Sequence, residues 1–290
     1  MSPAVQGSFT RISSGTHRCK QFCGFHVGFD TVVPMSRHVL RSVRSVTIPT
    51  AVQAHRGSPD PASGIQENTL EAFDRARALG ADGVELDVRL TADGGLVVHH
   101  DPAVAGVGTI CELATAQLPA YVPLLADALE ACAGMVVNIE IKNQPHEPGF
   151  DPTDRVASDV VTLVTSMGRT GSVVVSSFWS GSLSTVRSAG STVPTGLLVV
   201  SSFDPMASIA AAADLGCTAV HLPVGLVDRA TVSTARAAGL AVAAWTVADE
   251  DTLASMLQAG VDTVITDDVA TARRAIDGRP PRLGPVRQPR

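Results

Sequence analysis

Two carboxylates one residue apart, Glu85 and Asp87, lie between two histidines, His55 and His100, in the stretch running from AHRG to VVHHD. Side chains alternate faces along a strand, so Glu85 and Asp87 point the same way, with Val84, Leu86 and Val88 opposite. Two anions on one buried face repel each other and resist desolvation unless a cation sits between them. The pattern therefore points to a divalent metal flanked by two groups able to move protons near neutrality. A second strand-like run, Asn138-Ile139-Glu140-Ile141-Lys142, puts Glu140 and Lys142 on one face and the two isoleucines on the other. A buried ion pair would account for those two residues structurally. The functional reading makes Glu140 the third carboxylate and Lys142 a point charge for a phosphate oxygen. Lys142 is one of two lysines among 22 basic residues, so a lysine at this spot favours that reading. Three carboxylates plus water select a hard ion, Mg²⁺ or Ca²⁺, over zinc, and do not separate those two ions.

Hydrolysis of a phosphodiester requires a proton to leave the nucleophile and another to reach the departing alkoxide. Two histidines are the minimum set for that work. His55 and His100 stand out because both sit at strand ends in polar clusters, His55-Arg56-Gly57 and His99-His100-Asp101. Arg56 is suited to gripping two phosphate oxygens at once. Asp101 is placed to orient the His100 ring. His99, on the alternate face of a strand, is read as structural, and His17, His26, His38 and His146 receive no catalytic role.

Residues this far apart in sequence meet only if the fold gathers them. From residue 50 onward, short β-branched runs alternate with Ala/Leu-rich helical segments. Strands are expected at 50–54, 83–88, 135–141, 172–177, 195–200, 218–222, 240–247 and 262–266. Helices are expected at 67–79, 123–132, 152–167, 180–189, 205–214, 228–238, 249–258 and 268–276. Gly80, Gly190, Gly216, Gly239 and Gly260 close several of the helices. The run 95–101 reads as an extra strand folded back by the Asp93-Gly94 turn. Eight strand–helix units point to an α/β fold, a closed (β/α)₈ TIM barrel with a short extra strand after strand 2 and irregular termini. An open doubly wound sheet would want a glycine-rich phosphate loop after an early strand, and none has the usual spacing. In a barrel, His55, Glu85, Asp87, Glu140, Lys142 and Trp245 all fall late in or just after strands, and so converge on one rim.

The chain reads as one catalytic domain, residues 50–277, between a basic extension (1–49) and a Pro/Arg-rich tail (278–290). The extension carries Arg11, Arg18, Lys20, Arg37, Arg41 and Arg44 against Asp30 alone; the tail has four arginines and no acid. With a formal net charge of −6 for the whole chain, the body between them is strongly acidic. Such a body is a poor platform for nucleic acid, whose phosphates need cationic neutralisation. No apolar run approaches the ~20 residues of a membrane helix. Five scattered cysteines argue against a disulfide framework. His17, Cys19, Cys23 and His26 match no common zinc spacing and are read as incidental. No secretory signal is recognised, so a cytoplasmic location is expected. The acid-poor, Arg/Ser-rich head resembles a transit peptide, and a true start at Met35 explains it equally well.

The motifs together resemble the glycerophosphodiester phosphodiesterase family. HRG at 55–57, ENTLEAF at 67–73, GADGVELDVRLTADGGLVVHHD at 80–101 and IEIK at 139–142 match its motifs in order. SSF at 176–178, WTV at 245–247 and ITD at 265–267 match its weaker later ones. The resemblance covers about residues 52–275. It implies a metal-dependent barrel that cleaves glycerophosphodiesters to an alcohol and glycerol 3-phosphate. Carried over by position, His55 and His100 are the acid/base pair, and Glu85, Asp87 and Glu140 hold one divalent cation. Arg56 and Lys142 contact phosphate, Trp245 the glycerol side, and Glu67 braces Arg56 or His55. Gln66 stands where the family usually has proline, and Asp268 departs from the family's ending of the last strand. Residues 102–108 replace a longer insertion, which leaves the alcohol-side pocket undefined by resemblance. The implied partner is a small-molecule substrate; oligomeric state is not indicated. The rivals are a lysophospholipase D-type relative on the same barrel, for which no apolar loop is evident, a non-catalytic binding barrel, and a metal-dependent sugar isomerase, which would not need HRG and HHD together.

Overall fold

A computed structural model of the chain describes residues 50–278. In chain order it runs β1 (Ala51–Ala54), α1 (Leu70–Ala78), β2 (Gly83–Leu90), β3 (Leu96–Val98), β4 (Ala103–Val104), β5 (Gly108–Thr109), α2 (Leu125–Ala131), β6 (Val136–Ile141) and α3 (Arg155–Ser166). There follow β7 (Val173–Ser177), α4 (Ser180–Ser188), β8 (Thr195–Leu198), α5 (Pro205–Asp214), β9 (Ala219–Pro223), α6 (Arg229–Ala237), β10 (Ala241–Val247), α7 (Glu250–Ala259), β11 (Thr263–Thr266) and α8 (Val269–Asp277). Eight strands pair in parallel in the order β1-β2-β6-β7-β8-β9-β10-β11, and β11 pairs with β1 to close the ring. This is the expected (β/α)₈ barrel. β3 lies outside the ring, antiparallel on β2, and β4 and β5 form a small hairpin of their own.

Alternation along the ring strands builds the barrel. Val84, Leu86 and Val88 of β2, and Val137, Ile139 and Ile141 of β6, are fully buried on the helix-facing side. Their burial stabilises the fold by roughly 1.5–3 kcal/mol per side chain. The residues between them point into the barrel, and those are the polar ones. Helix starts are set by side-chain caps: Thr69, Asp204, Asp228, Asp249 and Asp268 each accept a hydrogen bond from a first-turn backbone N–H. The caps explain why α1 begins at Leu70 instead of the expected 67. Asn68 sits at φ 58°, outside helical geometry.

The extra strand is shorter than the run 95–101. Its pairing ends at Val88 with Val98, so His99 and His100 lie beyond it, and strand alternation does not govern where they point. The cysteine/histidine cluster at 17–26 and almost all of both terminal segments fall outside the described residues. No helix among the described residues is long and apolar enough to cross a membrane.

Candidate active site

The register of β2 on β6 brings the acids together. Glu85 pairs with Asn138 and Asp87 with Glu140, so one carboxylate of β6 stands beside those of β2 on the inward face. One oxygen from each of Glu85, Asp87 and Glu140 falls in a group whose members all lie within 4.8 Å of one another. All three residues are buried, at 4%, 1% and 7% exposure. Burial, followed by the charge of Asp87, pushes the Glu85 carboxyl up to about 8. The same two causes push Glu140 up to about 7. Burial would raise Asp87 too, but Lys142, Arg56, His100 and the Asn68 hydrogen bond together hold it below the usual range.

Hydrogen bonds leave part of this cluster unsatisfied. Glu85 Oε1 has no partner at all. Asp87 Oδ1 and Glu140 Oε1 face only the Lys142 ammonium, 3.1 Å from the former and in close contact with the latter. Three crowded, inward carboxylate oxygens of this kind fit a hard divalent cation.

The loop after β1 closes over the acids. The Arg56 backbone N–H donates to Glu85 Oε2 at 2.9 Å, and its guanidinium donates to Glu67 Oε1 at 2.8 Å. Arg56 Nε lies 3.5 Å from Asp87 Oδ2. Asn68 clamps Asp87 from both sides: its Nδ2 donates to Asp87 Oδ2 at 2.8 Å and its Oδ1 accepts from the Asp87 N–H at 3.2 Å. Gly57 makes the turn possible. Its φ is 82°, and a Cβ there would lie 2.8 Å from that of Ala72.

Each histidine is held by an aspartate. His55 Nδ1 is 2.8 Å from Asp267 Oδ1, and its Nε2 is 4.0 Å from Glu85 Oε2. His100 Nδ1 is 2.8 Å from Asp101 Oδ1. With Nδ1 occupied, Nε2 is the ring nitrogen each histidine has free for proton transfer. Burial pulls His55 down, but the Asp267 hydrogen bond and the charges of Glu85 and Asp267 outweigh it and raise the ring above its ordinary value. Burial and the Lys142 charge lower His100 below it. A cavity of about 250 Å³ lies over the acids, with His55, Arg56, His100 and Lys142 on its polar side and Phe178 and Trp245 on its apolar side. The two aromatic rings meet edge to face, with centroids 5.7 Å apart.

Residues 55–271 match the glycerophosphoryl diester phosphodiesterase family. The chain belongs to that family. It is 30% identical over 243 residues to the glycerophosphodiester phosphodiesterase of Caldanaerobacter subterraneus subsp. tengcongensis, covering 77% of this chain and 96% of the relative. It is 33% identical over 257 residues to a Mycobacterium tuberculosis protein named probable glycerophosphodiester phosphodiesterase 2, covering 78% and 92%. Among solved structures, an Oleispira antarctica phosphodiesterase in complex with its product sn-glycerol-3-phosphate superposes with a TM-score of 0.66 at 25% identity. That match covers 79% of this chain and 97% of the other. The chain is thus a phosphoric diester hydrolase built on the barrel of the glycerophosphodiester phosphodiesterases.

Within this phosphodiesterase barrel the nine residues carried over by resemblance gather at one rim, and Asp101 meets the His100 ring as expected. Glu67 braces Arg56, the first of the two partners expected for it, and Lys142 turns its ammonium onto two of the acids. Asp267, Phe178, Asn68 and Arg89 are among the residues around the site that were not singled out. Asp267 and Phe178 lie in the weak ITD and SSF motifs, and Asn68 lies within ENTLEAF. Arg89 continues the inward face of Glu85 and Asp87, 6% exposed, and forks onto the His100 carbonyl through Nε at 2.8 Å and Nη2 at 2.6 Å. Its Nη1 reaches Glu147 at 3.1 Å. Arg89 thereby ties the His100 loop to β2. Replacing it with methionine is expected to lower kcat roughly tenfold or more by misplacing His100, with a smaller effect on KM. Steady-state kinetics of the variant checks this, and lysine, which keeps the charge but not the fork, should restore only part of the rate.

Proposed function

We propose that the chain hydrolyses glycerophosphodiesters to glycerol 3-phosphate and an alcohol, by paired-histidine proton transfer beside a divalent cation held by Glu85, Asp87 and Glu140. The observation that carries this reading is the convergence of three buried carboxylates with two Asp-anchored histidines around one cavity. One histidine takes the proton of the nucleophile, either water or the substrate's glycerol 2-hydroxyl, and the other delivers a proton to the departing alcohol oxygen. Arg56 and Lys142 supply positive charge for the non-bridging phosphate oxygens, and the Phe178–Trp245 wall receives the carbon face of glycerol. A bound cation would add electrostatic stabilisation as negative charge grows on those oxygens. Residues 50–277 form the catalytic unit in this reading, and the two terminal segments are extensions of it.

A lysophospholipase D-type activity is the second reading. It is favoured by Val200, Phe203 and Met206, which are exposed where the chain passes from β8 into α5, at the catalytic rim. Sequence alone shows no such apolar loop. Purified protein assayed on short glycerophosphodiesters and on long-chain lysolipids separates the two. Glycerol 3-phosphate release from the short diesters is expected to stop with chelator and to return with Mg²⁺, Ca²⁺ or Mn²⁺. Activity indifferent to chelation would remove the cation from the scheme. Cleavage of lysolipids alone would reverse the order of the two readings.

A further inference from the structure

Beneath the three acids the barrel interior holds polar groups that find no hydrogen-bond partner among the described residues. Asn138 is 1% exposed, stands opposite Glu85 in the β2–β6 register and shares its inward face with Glu140. Neither its Nδ2 nor its Oδ1 has a hydrogen-bond partner, and the residue lines the catalytic cavity. Ser176 of β7, in register with Glu140, is fully buried and its Oγ is also unpaired. A buried amide without a partner is destabilising, and an apolar residue of similar size would suit this position on stability alone. Something outside the protein chain must answer these groups in the working enzyme.

The adjacent carboxylates indicate what that is. A hard divalent ion takes six or more oxygens, and three carboxylates leave it short. The remainder of its shell is water, and that water needs hydrogen-bond partners on the barrel side. Around the acids, Asn138 and Ser176 are the unpaired donors and acceptors placed by strand register next to Glu85 and Glu140. We infer that Asn138, assisted by Ser176, anchors the hydration shell of the cation from the barrel interior and so sets ion affinity. This rests on the carboxylate cation site proposed above. In this inference the residue acts through water, as a positioning residue.

The test measures Mg²⁺ binding by calorimetric titration of the whole chain and the melting temperature of the chelated protein. Asn138→Val is expected to raise the Mg²⁺ dissociation constant about 10- to 100-fold, the range of an outer-shell loss. Its ion-free melting temperature should be equal to or above that of the parent, because an unpaired polar group has been removed. Ser176→Ala should raise the dissociation constant less. Asn138→Ala, which cannot clash, guards against distortion by valine and should move it in the same direction. Unchanged Mg²⁺ affinity in both Asn138 variants, with affinity still lost in Glu85→Gln, overturns the inference and leaves the carboxylate site standing. Unchanged affinity with a raised KM makes Asn138 a substrate contact and also overturns it. A parent protein that binds none of Mg²⁺, Ca²⁺ and Mn²⁺ removes the underlying cation reading itself; one that binds Ca²⁺ or Mn²⁺ in place of Mg²⁺ is titrated with that ion, and the same outcomes apply.

Discussion

Alanine in place of His55 or His100 is expected to lower kcat by about 10²–10⁴, the usual contribution of a positioned acid or base. KM should change far less, because the proposed scheme gives binding of the phosphate to Arg56 and Lys142. The parent enzyme should give a bell-shaped pH–rate profile, since the proposed scheme requires one ring neutral and the other protonated in the same turnover. A proton donor loses activity as pH rises through its pKa, and a proton acceptor loses it as pH falls through its own. His55 is held above the ordinary histidine value by Asp267 and Glu85, and His100 below it by burial and Lys142. In the ion-free protein these directions match the alkaline limb to His55 and the acid limb to His100. Asp267→Asn should move the alkaline limb to lower pH while the acid limb stays in place. Full activity in both alanine variants would end the paired-histidine scheme; a profile with the limbs exchanged would only reverse the roles.

The acids could be read from sequence because strand alternation is local. Glu85 with Asp87, and Glu140 with Lys142, share faces on any strand, and the barrel had only to bring β2 beside β6. The same alternation marks Arg89 as the next inward residue after Asp87, but its partner, the His100 carbonyl, exists only once the chain has turned at Val98. Asp267 depended on closure of the ring. It meets His55 across 212 positions of sequence, where β11 pairs with β1. Asn68 was hidden differently, since a helical pattern read from 67 onward conceals a residue at φ 58° that clamps Asp87. Asp101 and Glu67, close in sequence to the groups they hold, were legible; the orienting groups that escaped are those whose identity depends on loop backbone and long-range contact.

Stability in the absence of the cation should fall as pH rises, the reverse of ordinary acid denaturation. Glu85 and Glu140 are pushed up to about 8 and about 7 by burial and by Asp87, against an ordinary value of 4.5. A carboxyl raised in this way is accommodated in the folded state while protonated. Its contribution is complete below the unfolded-state value and is lost as pH climbs through the folded-state one. Asp87 is shifted downward, so its contribution fades only in acid, below its ordinary value of 3.8 and outside this window. Buried His221, pushed down to about 4, acts in the opposite sense below its ordinary value of 6.5, so the fall is read above it. Between pH 6.5 and pH 9 the chelated protein should lose on the order of 5–10 °C in melting temperature. Saturating Mg²⁺ or Ca²⁺ binds the ionised carboxylates and should flatten or invert that slope, with protons released on binding. Glu85→Gln removes the group with the highest value and should flatten the slope without any cation, at the cost of ion affinity and turnover. Differential scanning fluorimetry across this range, with and without chelator, reads all three effects. A chelated protein equally stable at pH 6.5 and pH 9 would mean that the three acids do not crowd one another in solution, and the case for a cation at this rim would go with them.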